Sequence, residues 1–201
     1  MPELVASQYW GWQSVSRAYV IMIRPIAAAL AVLLAAGTDA VAAPSPLPIP
    51  RNVIAAAMKK ADCSLPLKDA LAGIDLSELA GKLRLVEVPC WRAAYQDGSI
   101  LFVLDPAAPA KAKLIQFQHW DGKKLGRTFT LTMPSFAADT KTLFSFHKGR
   151  GLGDCGSIHE WAWQRSDFKL TGVWIKDDCD GEPFDDDSDK EKWRVYPPKQ
   201  Q

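Results

Sequence analysis

Three histidines, His119, His147 and His159, are the residues of this chain best suited to acid–base chemistry, because an imidazole titrates near neutral pH. Together with Ser157 and Asp154 they supply the residue types of a serine–histidine–aspartate hydrolase. The Gly-x-Ser-x-Gly pattern that surrounds many such nucleophiles does not surround Ser157. We therefore assign no catalytic residue, and we keep a hydrolase that uses His147 or His159 as an alternative function.

A glycine-rich segment, Lys148–Gly156, lies between the last two histidines and has the sequence KGRGLGDCG. Glycine tolerates the positive φ angles of a sharp turn, which indicates a tight connection between two strands. A second interpretation is that the glycine amides, with Lys148 and Arg150, bind an anion. The candidate interaction loop consists of Lys148, Arg150, Gly151, Gly153, Asp154 and Gly156.

An acidic stretch follows at residues 177–189, and clustered carboxylates are the ligands that calcium prefers. The spacing of Asp185, Asp187 and Asp189 is that of the first ligands of an EF-hand loop. The pattern then fails, because Lys190 occupies the position of the turn glycine. We expect a solvated charged segment and no cofactor, with a weak calcium site at Asp185, Asp187 and Asp189 as the alternative.

Four cysteines occur, without the Cys-x-x-Cys or cysteine–histidine spacing of a zinc site. They therefore indicate disulfides, for which four cysteines allow three pairings. We predict Cys63–Cys90 and Cys155–Cys179, because neighbours in the sequence make two local loops of similar size. Loop-closure entropy gives each bridge a stabilisation of about 3–4 kcal/mol.

The stretch at residues 22–42 has the parts of a secretory signal peptide in the required order. Arg24 precedes an apolar run, and the small residues of Ala40-Val41-Ala42 favour cleavage after Ala42. Met22 is an alternative translation start. The apolar run is about half of the roughly 20 residues that a membrane span requires, which disfavours an uncleaved anchor. We expect a periplasmic protein, in a compartment where disulfides form.

The domain organisation expected from these features is simple. A signal segment at 1–42 precedes a proline-rich leader at 43–51, one β-rich domain at 52–198 and a tail at 199–201. The net charge of +1 gives no electrostatic reason to expect nucleic acid as a partner. The chain after residue 42 has no long apolar stretch, so we expect no membrane span in the mature chain.

Short apolar runs between turn residues predict a mainly β fold at the α+β boundary. The expected architecture is an antiparallel sheet of about seven or eight short strands, curved or in two layers. Asn52 predicts a helix that ends near Lys60, which supplies one of the one or two short N-terminal helices. The capping-box spacing of Asp75 and Glu78 predicts a further helical turn at 76–80. Disulfides staple this domain.

Several segments resemble the exported, mostly proteobacterial proteins of domain of unknown function 1176. The similarity is carried by PSFAADTKTLFSFHKGRGLGDCG from Pro134, followed by WAWQRSDFKLTG and DDCDGE. CSLP at Cys63 and VPCWRAAY at Val88 are also similar, so the resemblance extends over about residues 55–197. It implies secretion and a disulfide-held β domain, and it implies no activity, cofactor or catalytic residue.

Together these observations favour a non-enzymatic periplasmic binding or interaction module. Its expected partner is an unknown envelope protein or glycan, since several tryptophans could form a sugar platform as well as a core. An envelope hydrolase and an inhibitor of a secreted enzyme are the alternatives. A deep pocket joining a histidine to a hydroxyl or carboxylate would favour the hydrolase. An exposed apolar patch would favour the binding module, and a rigid protruding loop the inhibitor.

Overall fold

The structure, a computed structural model, describes residues 47–184 and 190–198. The expected signal segment at 1–42 lies outside the described residues, as do the calcium candidates Asp185, Asp187 and Asp189. No helix in the described ranges combines the length and the apolar character of a membrane span. Ile49, in the expected leader, is fully buried beside helix residues such as Ile54.

Two short helices precede a series of β-strands in the described part of the chain. Helix α1 spans Arg51–Lys60 and helix α2 spans Leu67–Ala72. The strands are β1 (Asp75–Ala80), β2 (Leu83–Arg92), β3 (Asp97–Leu104), β4 (Lys113–Leu114), β5 (Phe117–Trp120), β6 (Leu125–Thr128), β7 (Thr130–Thr132), β8 (Pro134–Ala137), β9 (Thr142–Lys148), β10 (Gly156–Gln164), β11 (Asp167–Lys176) and β12 (Arg194–Tyr196). Short 3-10 turns lie at Pro109–Lys111 and Lys190–Trp193. The mainly β class is confirmed, with more strands than expected.

The first sheet has the order β1–β2–β3–β4, and β7 pairs with β3 on the same side as β4. Alternate residues of a strand point to opposite faces of a sheet. Val86 and Ile100 therefore pack against the helices, whereas Leu85 and Leu101 pack toward the second sheet. The first sheet is thus the middle layer of three.

The second sheet is antiparallel in the order β12–β11–β10–β9–β8. Its inner face contributes Leu143, Trp161 and Val173 to the core that it shares with the first sheet. Strands β5 and β6 form a separate two-stranded ribbon. The ribbon is attached to the second sheet, because the Trp161 Nε1 group donates a hydrogen bond to the Gln118 carbonyl at 2.8 Å.

Strand β1 corrects the helical turn predicted at 76–80. Asp75–Ala80 pairs with β2, and Gly81 makes the connection at φ 56°. The local capping signal is overruled because Leu79, 2 % exposed, is buried in the core between the sheets. The second helix is instead Leu67–Ala72, which begins directly after Pro66.

Both predicted disulfides are present. Cys63–Cys90 joins the segment after α1 to β2, and Cys155–Cys179 joins the start of β10 to the segment after β11. Cys90 and Cys155 are buried. The helices are thereby fixed to the first sheet, and the glycine-rich segment is fixed to the end of the second.

Candidate functional site

A cavity of about 460 Å³ lies between the inner face of the second sheet, the β5–β6 ribbon and β7. All three histidines of the chain line it. Among the described residues, the polar side chains that line it, with Trp120 beside them, are His119, Asp121, Thr128, Thr130, Thr132, Ser145, His147, Ser157, His159 and Asp177. We call this the histidine cavity. Its volume is typical of sites for small molecules.

The register of β9 and β10 explains why four of these side chains face the same space. Ser157 lies opposite His147, and His159 lies opposite Ser145. Opposite residues of an antiparallel pair share a face, and residues two apart on one strand share it as well. The inner face of the second sheet is therefore polar at this end, and it becomes apolar one step further at Trp161.

His159 is held on the ribbon by a hydrogen bond and by ring stacking. Its Nε2 atom lies 3.3 Å from the Trp120 amide nitrogen and 3.2 Å from the Trp120 carbonyl oxygen, so either neutral tautomer makes one bond. The ring stacks on His119 at 4.3 Å and on Trp161 at 5.6 Å. Burial lowers the pKa of His159 to about 4, and charge on His119 opposes its protonation further. His159 is therefore a neutral, structural imidazole at pH 7.

His119 is the outer ring of this stack and is only half-buried. Burial lowers its pKa, against the opposing effect of the Asp121 carboxylate. A neutral imidazole both donates and accepts a hydrogen bond. His119 consequently offers the cavity a polar edge without a fixed positive charge.

The polar side chains of the lining divide into those with and without a partner in the protein. Ser145 donates to the Thr132 carbonyl at 2.8 Å, and the hydroxyl of Thr128 bonds the backbone of Thr130. Asp121 accepts the amides of the turn that follows it. Within residues 47–184 and 190–198, five lining side chains make no hydrogen bond: His119, Thr132, His147, Ser157 and Asp177. These five groups are available to a ligand.

The serine–histidine–aspartate set considered from the sequence is only partly assembled. His147, His159 and Ser157 come together in the cavity, and Ser157 lies opposite His147. No hydrogen bond joins the Ser157 hydroxyl to a histidine ring in the described structure. Asp154 is not part of the lining, because its carboxylate is bound elsewhere.

The candidate interaction loop, Lys148–Gly156, is fastened at the mouth of the cavity. Arg150 donates to Asp154 from Nε at 2.8 Å and again from a second guanidinium nitrogen. Asp154 also accepts the Gly181 amide at 2.7 Å, while Arg150 donates to the Cys179 carbonyl at 2.9 Å. The guanidinium holds the pKa of Asp154 well below its usual range. Arg150 and Asp154 are thus bound to each other and to the segment after β11.

The family described as "Protein of unknown function (DUF1176)" matches residues 21–196. The chain belongs to this family. Membership confirms the resemblance carried by the glycine-rich segment and by the cysteine-containing motifs around it. No curated protein and no solved structure matches the chain. The observations that bear on the function of this DUF1176 protein therefore lie in its own cavity and loop.

Two glycines of the DUF1176 loop have conformations that explain the glycine-rich sequence. Gly153 has φ 72°, and Gly156 has φ 136°. A Cβ atom on Gly156 would lie 2.0 Å from the His147 carbonyl oxygen, which is closer than any real contact. The loop turns tightly here, and this brings His147 and Ser157 face to face at the cavity.

The tip of the same loop presents an apolar side chain to solvent. Leu152 is 77 % exposed, the largest exposure of any large hydrophobic residue in the described ranges. Tyr95, 47 % exposed, lies against Gly151. The loop therefore has a base held by the Cys155–Cys179 disulfide and by the Arg150–Asp154 pair, and an apolar tip.

Metal-binding side chains lie close together at one place in the described residues, formed by Asp154, Cys155 and Cys179. The two cysteines are joined in a disulfide, and Asp154 is bound to Arg150. This group therefore does not fit a metal ion. The rings of His119 and His159 are stacked, and within the described residues the histidines form no cluster of three metal-binding side chains.

Three lining residues were not expected at a site with His147 and His159. His119 arrives on the β5–β6 ribbon, Thr132 on β7 and Asp177 after β11. The alternating threonines 128, 130 and 132 are the one sequence signal of a polar strand face here. The packing of the sheets decides which other strands this threonine face meets.

Proposed function

We propose that this DUF1176 protein is an exported, non-enzymatic binding module that holds a small polar ligand in the histidine cavity. One observation carries the proposal: five polar side chains that have no hydrogen-bond partner among the described residues line a cavity of about 460 Å³. Small-molecule sites combine such a volume with a few convergent polar groups. The signal-like segment at 22–42 and the two disulfides support export to the periplasm.

The rigidity of the surroundings supports binding. His147 and Ser157 are on central strands of a five-stranded sheet, and the loop between them is closed by the Cys155–Cys179 bridge. His159 and Trp161 both hydrogen-bond the ribbon that carries His119. A site whose groups are already fixed loses little conformational entropy when a ligand binds.

The hydrogen bonding of the histidines favours binding over hydrolysis. His159 bonds the Trp120 backbone through Nε2, and within the described residues no hydrogen bond joins its ring to Ser157. An activated nucleophile requires a hydrogen bond to its base. Within the described residues, the Ser157 hydroxyl makes no such bond to His147. The groups that face the cavity can therefore orient a ligand, and none of them is prepared for attack.

The proposal is tested by mapping amide chemical shifts of the full, disulfide-intact chain. We would add the small-molecule fraction of an envelope extract from the cells that make the protein. We expect shifts confined to residues that line the cavity. Ser157→Ala should weaken the response about fivefold, the value of one hydrogen bond. Ser135→Ala is the matched control, because Ser135 is an exposed strand serine outside the lining.

Shifts that are absent, or confined to the loop tip at Leu152, would contradict the proposed cavity function. An equal effect of Ser157→Ala and Ser135→Ala would contradict it as well. Both variants remove one hydroxyl from a strand of the second sheet. Their difference therefore reports the cavity rather than the fold.

The envelope hydrolase remains a second candidate because Ser157 lies opposite His147 in the register of β9 and β10. This pairing places the hydroxyl and the imidazole on the same face of the sheet. Mass spectrometry of the same incubation separates the two functions. A binding module returns its ligand unchanged, whereas a hydrolase yields a product whose formation is abolished by His147→Ala.

A further inference from the structure

The charged side chains that the described residues contribute to the histidine cavity are all of one sign. Asp121 and Asp177 belong to the lining, and no lysine or arginine of residues 47–184 and 190–198 does. Asp121 accepts the amides of Lys123 and Lys124 at 3.0 and 2.9 Å, which lowers its pKa and keeps it ionised. The cavity therefore has two carboxylates and no cation in its lining.

The side of the cavity at Asp177 continues into further acidic surface. Asp178 and Glu182 follow it and are exposed. Asp180 is neutralised by Lys176 at 2.5 Å, an ion pair outside the lining. Clustered charge of one sign beside a cavity raises the local concentration of ligands of the opposite sign.

The basic side chains of the described surrounding elements lie outside the lining, although Lys124 acts on the Asp121 carboxylate. Lys148 lies over the Phe146 ring, and Arg150 is bound to Asp154. Lys123 and Lys124 are exposed at the turn of the ribbon. None of these four side chains is part of the lining.

The uncharged lining suits a molecule with several hydroxyl groups. Thr132, Ser157 and the two unbonded imidazoles, His119 and His147, offer both donors and acceptors. Trp120 adds an aromatic face. Such a face binds cations and the apolar side of a sugar ring.

We propose that the histidine cavity binds a small hydroxylated cation, a primary amine that carries several hydroxyl groups. The inference rests on the proposed binding function and names the chemical class of its ligand. The ammonium group lies toward Asp177, because that carboxylate has no partner in the described residues. The hydroxyl groups meet Ser157, Thr132 and the imidazoles.

The test compares three probes that share one ring and differ in charge: glucosamine, glucose and glucuronate. Isothermal titration uses the full chain with its disulfides intact, in buffer with EDTA so that metal ions do not contribute. We expect glucosamine to bind at least about fivefold more tightly than glucose, the effect of one ion pair near a wetted surface. Glucuronate should bind more weakly than glucose.

Two neighbouring variants locate the charge effect. Asp177→Asn should reduce the affinity for glucosamine and leave that for glucose unchanged. Asp178→Asn removes the same charge from an exposed residue outside the lining, and it should preserve most of the preference for glucosamine. Neither carboxylate has a hydrogen bond in the described structure, so both variants should fold.

Equal or tighter binding of glucose or glucuronate would overturn the cationic class and leave the proposed function standing. The same holds if none of the three sugars binds while the small-molecule fraction still shifts the cavity amides. Equal effects of Asp177→Asn and Asp178→Asn would overturn the assigned position of the ammonium group. If no cavity amide responds to any of these additions, the proposed function fails together with the inference.

Discussion

Replacement of His159 by glutamine should flatten the dependence of stability on pH between neutrality and mild acid. His159 is 2 % exposed, and its pKa falls from the ordinary 6.5 to about 4. Between these values the unfolded chain binds a proton on this ring and the folded chain does not. Acid therefore favours unfolding, and the stability that His159 contributes above pH 6.5 is lost as the pH falls toward 4.

The size of the change in unfolding free energy follows from the lowering of the His159 pKa. A difference of about 2.5 pKa units corresponds to about 3 kcal/mol when the pH is well below 4. About 2 kcal/mol of this is lost between about pH 7 and about pH 5. His159→Gln keeps a polar group that can bond Trp120 but does not titrate, so the variant should lack this part of the slope.

The assay is urea unfolding at a series of pH values, with wild type and variant compared at each. The comparison with wild type is needed because the pKa of His119 is also lowered, so His119 contributes to the pH dependence of stability with the same sign. Glu87, whose pKa is raised by burial, contributes with the opposite sign. If His159→Gln retained the wild-type slope, the neutral stacked imidazole would be refuted as the source of the acid sensitivity.

Three further predictions concern the loop and the bridges. Gly156→Ala should prevent folding, seen as lost sheet signal in circular dichroism, whereas Gly151→Ala should fold because its added Cβ makes only ordinary contacts. Asp154→Asn should make the loop more sensitive to limited proteolysis than Asp178→Asn does, since Asp154 binds Arg150 and Asp178 does not; equal cleavage would contradict a role of this ion pair in holding the loop. Removing the Cys63–Cys90 bridge should cost about 3–4 kcal/mol in urea unfolding, and an unchanged midpoint would show that it does not stabilise the fold.

The parts of the fold that follow local rules could be predicted from the sequence. Turn residues between short apolar runs predict the β class, and cysteines that are neighbours in the sequence predict the two disulfides. The glycine-rich segment predicted a tight connection because Gly153 and Gly156 adopt positive φ angles. Each of these inferences depends on residues close together in the chain.

The parts that depend on distant contacts could not be predicted. Asp75 and Glu78 have helical capping spacing, but the chain between them forms β1 because Leu79 belongs in the core. Strands β4–β8 are only two to four residues long, and their pairing is set by the rest of the sheets.

The histidine cavity illustrates the same limit at the functional site. In the sequence, His147 and Ser157 lie directly on either side of the glycine-rich segment, but nothing in the sequence indicates that His119 contacts His159. That contact joins residues far apart in the sequence and depends on how the ribbon lies across the second sheet. A cavity is a property of packed layers, so its volume and its unpaired groups become visible only in the structure.

The most direct measurement of ligand binding in the cavity uses the chain with nitrogen-15 in its histidines alone. The chain contains three histidines, and all of them line the cavity. On addition of the envelope small-molecule fraction, we predict that the ring nitrogens of His119 and His147 shift. Ring signals that stay unchanged while the fraction binds elsewhere on the chain would contradict the account.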